Sequence, residues 1–206
     1  FTTGSLFLAL HVLTSVSLSL DSFIVAKTVG LTDTASYSVA YRVALFIGII
    51  STMLSTPLWA ASGEALERGD IKWVKSRTRK MMGLSMWGAI IATVVLLLVS
   101  NPVLSWLGKD LFISAPVLLG MCLTQILMAT VSPAFMVLNA SRRIAVQIVM
   151  FTVYAIISLS LKYILGRHFG TIAISWCGAL SYLLIIVPSV IIAYNKTLTS
   201  AEKFSQ

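Results

Sequence analysis

Two ionisable residues stand out in a chain that is otherwise apolar. The stretch SLSLDSFIVAK at 17–27 surrounds the carboxylate of Asp21 with leucine, isoleucine, valine and phenylalanine. YSVAYRVALF at 37–46 does the same to the guanidinium of Arg42. A charge inside lipid is costly, so such groups pair, face water, or handle a substrate or an ion. Asp21 lies about ten residues before the centre of the intervening break, between Leu31 and Thr32, and Arg42 about ten residues after it. At 1.5 Å per residue, antiparallel neighbours hold both about 15 Å from the hairpin tip. The expectation is that Asp21 and Arg42 share a site. Arg42 could alternatively serve a phosphate, which its planar fork suits. At 100° per residue, Thr14, Ser17, Asp21 and Thr28 fall within about 40° of one direction. Such a stripe either lines a water-filled cavity or joins helices. For Asp21, a structural ion pair and a transport role both stay open.

The elements that must position these residues are membrane helices. Of 206 residues 58% are hydrophobic and 11% charged, against about 25% charged in a soluble domain. A crossing needs roughly 20 mostly apolar residues. The runs read as six spans at about 5–27, 36–59, 82–100, 112–137, 145–165 and 171–194, an all-α, polytopic six-helix bundle forming a single domain over 1–206. The second, fourth and sixth breaks carry Arg68, Lys72, Lys75, Arg77, Arg79, Lys80, Arg142, Arg143, Lys196 and Lys203; the opposite side carries Lys27, Lys109 and Arg167. Basic residues favour the cytoplasmic side, so both termini are expected there. The net charge of +8 is then a topology signal and not a footprint for nucleic acid. The chain opens with Phe1, not Met, without a recognisable signal peptide, and its start is expected to be missing.

The longest break has its own pattern. Gly69 can end an extension of the second span, and Asp70 can cap a new helix. Lys72, Lys75 and Arg79 then share one face and Ile71, Val74 and Met81 another, as in an amphipathic helix lying on the headgroups. Gln125 and Gln147 are expected to bond across helices, and Lys162 to snorkel to the outer interface. His11 fits either an interhelix hydrogen bond or a proton carrier. Pro57, Pro116, Pro133 and Pro188 are candidate bends. No paired carboxylates, metal spacing, phosphate loop or activated nucleophile marks an enzyme. Cys122 and Cys177, inside apolar runs, read as small apolar residues.

LDSFIVAKTVG at 20–30, YSVAYRVALF at 37–46 and TPLWAASGEALERGDIKWVKSRT at 56–78, with NPVLSWLG at 101–108 and VLN at 137–139, resemble the second half of bacterial polysaccharide flippases of the O-antigen type. These belong to the superfamily that includes multidrug exporters of the MATE kind. The resemblance implies one lobe of a twelve-helix transporter in the bacterial inner membrane, lacking its N-terminal lobe. It implies transport of an undecaprenyl-pyrophosphate-linked oligosaccharide by alternating access. A small-cation exporter, or a non-transporting scaffold of polysaccharide assembly, are the alternatives. No cofactor is implied beyond a coupling ion, H+ or Na+. Partners would be membrane lipids, a polysaccharide polymerase and other assembly proteins. Asp21 falls on the family's acidic position in the first helix, Arg42 on its Tyr-Arg pair, and Glu64 on the acid at the cytoplasmic mouth. Family cation sites use a second acid on the penultimate helix; residues 145–165 contain none.

Overall fold

A computed structural model describes residues 3–106 and 112–204. Among them the chain is all helical: α1 Thr3–Ser19, α2 Asp21–Thr28, α3 Leu31–Ser55, α4 Pro57–Glu67, α5 Ile71–Trp106, α6 Ala115–Ala140, α7 Ile144–Ser181, a π-helical turn Tyr182–Ile186, and α8 Val187–Phe204. Five stretches are long and apolar enough to cross a membrane: Gly4–Thr28, Leu31–Glu67, Ile71–Val103, Ala115–Ala140 and Ile144–Glu202. Many large apolar side chains on them are exposed, chiefly leucine, isoleucine, valine, phenylalanine and tryptophan, which fits a protein solvated by lipid.

The last stretch is 59 residues long, about 88 Å if straight, against a hydrocarbon core of about 30 Å. It is not straight. Gly170 has φ 68° and ψ −155°, which no helix contains. A Cβ on Gly178 would lie 3.2 Å from Cε of Lys162, and one on Gly166 would lie 2.8 Å from Cγ1 of Ile174. In an unbroken helix residues 16 apart are about 24 Å apart. The chain therefore turns back at Gly170, within the break GRHFG that the sequence marks. Glycine is needed at this positive φ, and the small Gly166 and Gly178 let the two arms touch.

α6 is the central post, packing on α3, α4, α5, α7 and α8. One apolar core joins α2, α3, α5 and α6. A second joins α6, α7, the π turn and α8, with Tyr154 edge-on to Tyr182. A third, around Val74, Val137 and Leu198, closes the end of the bundle where α4, α5, α6 and α8 meet.

Several boundaries move from the sequence expectation. α3 begins at Leu31, not near 36, because the first turn is only two residues, Val29 and Gly30, with Gly30 at φ 140°. The loop helix expected to lie on the headgroups is instead continuous with the next span in the 36-residue α5. Lys72, Lys75 and Arg79 are exposed on its projecting start, while Ile71 and Val74 are buried. No residue between 71 and 82 breaks helical backbone geometry, so the two parts fuse. The expected cap is present: the Trp73 N–H donates to Asp70 Oδ1 at 3.0 Å. Upstream, Gly69 at φ 73° ends α4, its N–H donating to Leu66 O, and Asp70 N–H donates to Ala65 O. This is the six-to-one and five-to-two bonding of a Schellman ending. Pro57 starts α4, and Pro116 sits at the start of α6 without bending a span. The π turn lies just before Pro188, where the missing N–H and the ring displace the preceding helical turn.

The α6–α7 connection repeats the Schellman pattern without a glycine. Arg142 and Arg143 N–H groups donate to Asn139 O and Leu138 O, both at 3.0 Å, with Arg142 at φ 56°. A side chain there costs about 1–2 kcal/mol. Arg142→Gly is therefore expected to raise the thermal unfolding midpoint of the purified protein, by about 1 kcal/mol of stability; an unchanged or lower midpoint would show that the Arg142 side chain contributes as much as its backbone costs.

Candidate functional site

Asp21 opens α2 and is 9% exposed. Its partner is not Arg42. Lys162 of α7, 141 positions away, donates from Nζ to Asp21 Oδ1 at 2.6 Å, and Tyr37 of α3 donates from its hydroxyl to Oδ2 at 3.2 Å. Both carboxylate oxygens are thus satisfied. Lys162 is 1% exposed, so it does not snorkel. Its stem runs inward across Gly178, where any larger residue would crowd it.

The register of the first hairpin explains why Arg42 is passed over. The turn is centred on Gly30, and Ser22 and Ser38 hydroxyls lie 3.1 Å apart across it. Asp21 therefore faces Tyr37, not Arg42. Five residues further along α3 is about 140° round the helix, and Arg42 is exposed there. The depth argument itself survives with a different partner. Asp21 is nine residues before Gly30 and Lys162 eight before Gly170, so both sit about 12–14 Å below their turns.

The other expected site residues separate. Thr14 lies on the wall of a cavity described below, its hydroxyl donating to Leu10 O at 2.9 Å. The side chain of Ser17 lies outside the described residues. Thr28 donates to Ile24 O within its own helix. Glu64 is exposed and bound to Arg68 at 3.2 Å, one helical turn on. Lys72 and Arg79 are exposed on the start of α5, and Lys75 reaches Glu202 of α8 at 3.9 Å. Gln147 does bond across helices, donating to Asn139 Oδ1 at 2.9 Å. Gln125 does not: its Oε1 is buried without a partner. Among the described residues no group of acidic, histidine or cysteine side chains could hold a metal ion.

One space adjoins the ion pair, and a second lies beyond it. The smaller, about 20 Å³, is enclosed by Asp21, Tyr37, Thr124, Tyr154 and Lys162 among others, and is large enough for one water molecule. The hydroxyl of Tyr154 and Oε1 of Gln125, both buried without partners, border it. The larger is an open cavity of about 720 Å³ between α1, α3, α6, α7 and the π turn. Tyr41 and Gln125 line both spaces. They form the partition between the ion pair and the cavity. Gly48 leaves the space that Gln125 fills, since a Cβ there would collide with Oε1. Sequence reasoning missed Lys162, Tyr37, Tyr41 and Gly48. Lys162 carried a signal, because its distance from the GRHFG break matches that of Asp21 from the first turn.

Comparison with protein-family models, with curated proteins and with solved structures found no match for this chain.

A buried pair is held by attraction against a large desolvation cost. Removing one partner costs about 3–5 kcal/mol, whereas replacing both by apolar residues of similar size is close to neutral. Asp21→Leu and Lys162→Met are each expected to lower the thermal midpoint and the folded yield. The double variant Asp21→Leu, Lys162→Met should regain most of the loss. Arg42→Gln should change stability by less than about 0.5 kcal/mol. Losses that simply add in the double variant would show that Asp21 and Lys162 act separately.

Proposed function

We propose that this chain is one lobe of a flippase that carries an undecaprenyl-pyrophosphate-linked oligosaccharide across the bacterial inner membrane by alternating access. The observation that carries the reading is the cavity. It is roomy and open, lined by helices that are otherwise apolar, and walled by hydroxyl, amide and aromatic side chains. The resemblance of residues 20–30, 37–46 and 56–78 to polysaccharide flippases supplies the substrate class. On this reading the chain crosses the membrane six times, with Ile144–Glu202 making two passes about Gly170. Both termini lie in the cytoplasm, as does the basic start of α5 beside anionic lipid headgroups. A second six-helix lobe faces the cavity and completes the path.

The cavity also bears on the small-cation exporter. Cationic substrates are drawn to carboxylates, and among the described lining residues there is no Asp or Glu. Asp21 is already engaged by Lys162 and Tyr37. Coupling to H+ or Na+ through Asp21 would therefore have to proceed by opening that pair.

The test is made in the source cells with the complete protein. Disruption of the gene is expected to remove surface polysaccharide and to leave lipid-linked repeat units on the cytoplasmic leaflet. Restoration by wild type is expected, and a variant whose cavity is filled, Thr52→Trp, should lower surface polymer about tenfold at normal abundance, a loss equivalent to about 1.4 kcal/mol. Normal polymer after disruption, or drug sensitivity in its place, would overturn the reading.

A further inference from the structure

The chemistry of the cavity wall selects which part of a lipid-linked saccharide it can hold. On one side Phe7 and Trp59 rings lie 5.4 Å apart, and on another Phe135 and Phe151 stack at 5.7 Å. Between them are groups that exchange hydrogen bonds without carrying charge. Thr52 and Thr56 donate their hydroxyl protons to Gly48 O and Thr52 O of their own helix, which leaves oxygen lone pairs to accept from a ligand. Gln147, 2% exposed, donates to Asn139; that bond uses one group of each amide and leaves the other to a ligand. Gln125, 4% exposed, brings a buried oxygen with no donor.

Fixed charge is missing from this wall. Among the described residues that line it there is no Lys or Arg, and His11 is the one cationic candidate. The nearest buried ammonium, Lys162, is spent on Asp21 and does not line the cavity. A pyrophosphate drawn in would exchange its hydration for groups that cannot neutralise it, which is strongly unfavourable. A sugar ring meets the opposite situation. Its C–H faces lie against aromatic rings, and its hydroxyls both donate and accept, as amides and threonine oxygens require.

We infer that this cavity is the subsite for the neutral saccharide portion of the carried lipid, and that the pyrophosphate is held outside it. The inference rests on the flippase reading for the nature of the cargo, and on the wall alone for which portion binds here. Trp59, Asn139 and Gln147 are its specificity-determining residues: Trp59 stacks on a ring, and the amide pair sorts hydroxyl positions.

The experiment uses the full chain in nanodiscs of zwitterionic lipid, read by tryptophan fluorescence. The probes are the phosphate-free repeat-unit glycan from the cells' own surface polysaccharide, sugar-free undecaprenyl pyrophosphate, and undecaprenol. The glycan is expected to change the emission saturably, with an affinity that holds within about twofold when salt is raised, since no ion pair is screened. The change should vanish in Trp59→Phe, and Asn139→Ala should weaken binding about tenfold. Glycan binding should persist in excess of either sugar-free lipid. Displacement by undecaprenyl pyrophosphate, with an affinity that falls steeply with salt, would overturn the inference in favour of a phosphate site. Displacement by undecaprenol would overturn it in favour of a prenyl-chain site. No response to the glycan, in protein whose unfolding midpoint is normal, also overturns it. The flippase reading fails separately: glycan binding with normal surface polymer after gene disruption would leave the subsite standing and remove the transport role.

Discussion

A carboxylate and an ammonium 2.6 Å apart, buried among apolar helices, constrain more of this fold than any other contact. Neither charge could stay where it is without the other. Asp21 begins the second helix, and Lys162 lies in the seventh, after most of the chain has passed. Their contact requires that the turns at Gly30 and Gly170 lie at the same end of the bundle. It requires α1 and α2 to pack on α7, as they do. It also requires the arm after Gly170 to present a glycine, Gly178, where the Lys162 stem passes. Tyr37 completes the charge by donating to the second carboxylate oxygen, which ties α3 into the same knot.

The ion pair and the cavity are separate chemically but share a wall. On one side charge is concentrated and satisfied; on the other the surface is polar and neutral. Tyr41 and Gln125 belong to both. Their placement follows from close packing, since Gln125 can lie where it does only because Gly48 has no side chain. Any rearrangement that moves α3 against α6 must move this partition.

Much of the architecture was legible in the residues. Apolar runs of sufficient length, interrupted by Gly, Asp, Asn and Arg clusters, locate the apolar helices, though α3 starts five residues and α5 eleven residues before the expected spans. Gly69 and Asp70 announce a helix end and a cap, and both occur. The break GRHFG marks the fold-back even though the helix is otherwise continuous to Ser181. The boundary between a surface helix and a span was not legible in 70–82. Amphipathicity reports which face is polar, and a helix projecting from the membrane shows the same pattern as one lying on it.

The sequence by itself determined that Asp21 is costly in lipid and calls for a partner, water or a ligand, and at what depth a cation partner must lie. It did not determine which cation answers. Arg42 is near in the chain and Lys162 is far, and depth alone admits both. The choice depends on a register shift of about three residues at Gly30 and on the rotation of α3, which turns Tyr37 inward and Arg42 outward. Those quantities come from packing between helices, where side-chain volumes and the absence of a Cβ at Gly48 and Gly178 decide which faces meet. Only the tertiary structure settles them, because they are properties of pairs of surfaces and are written in no single segment.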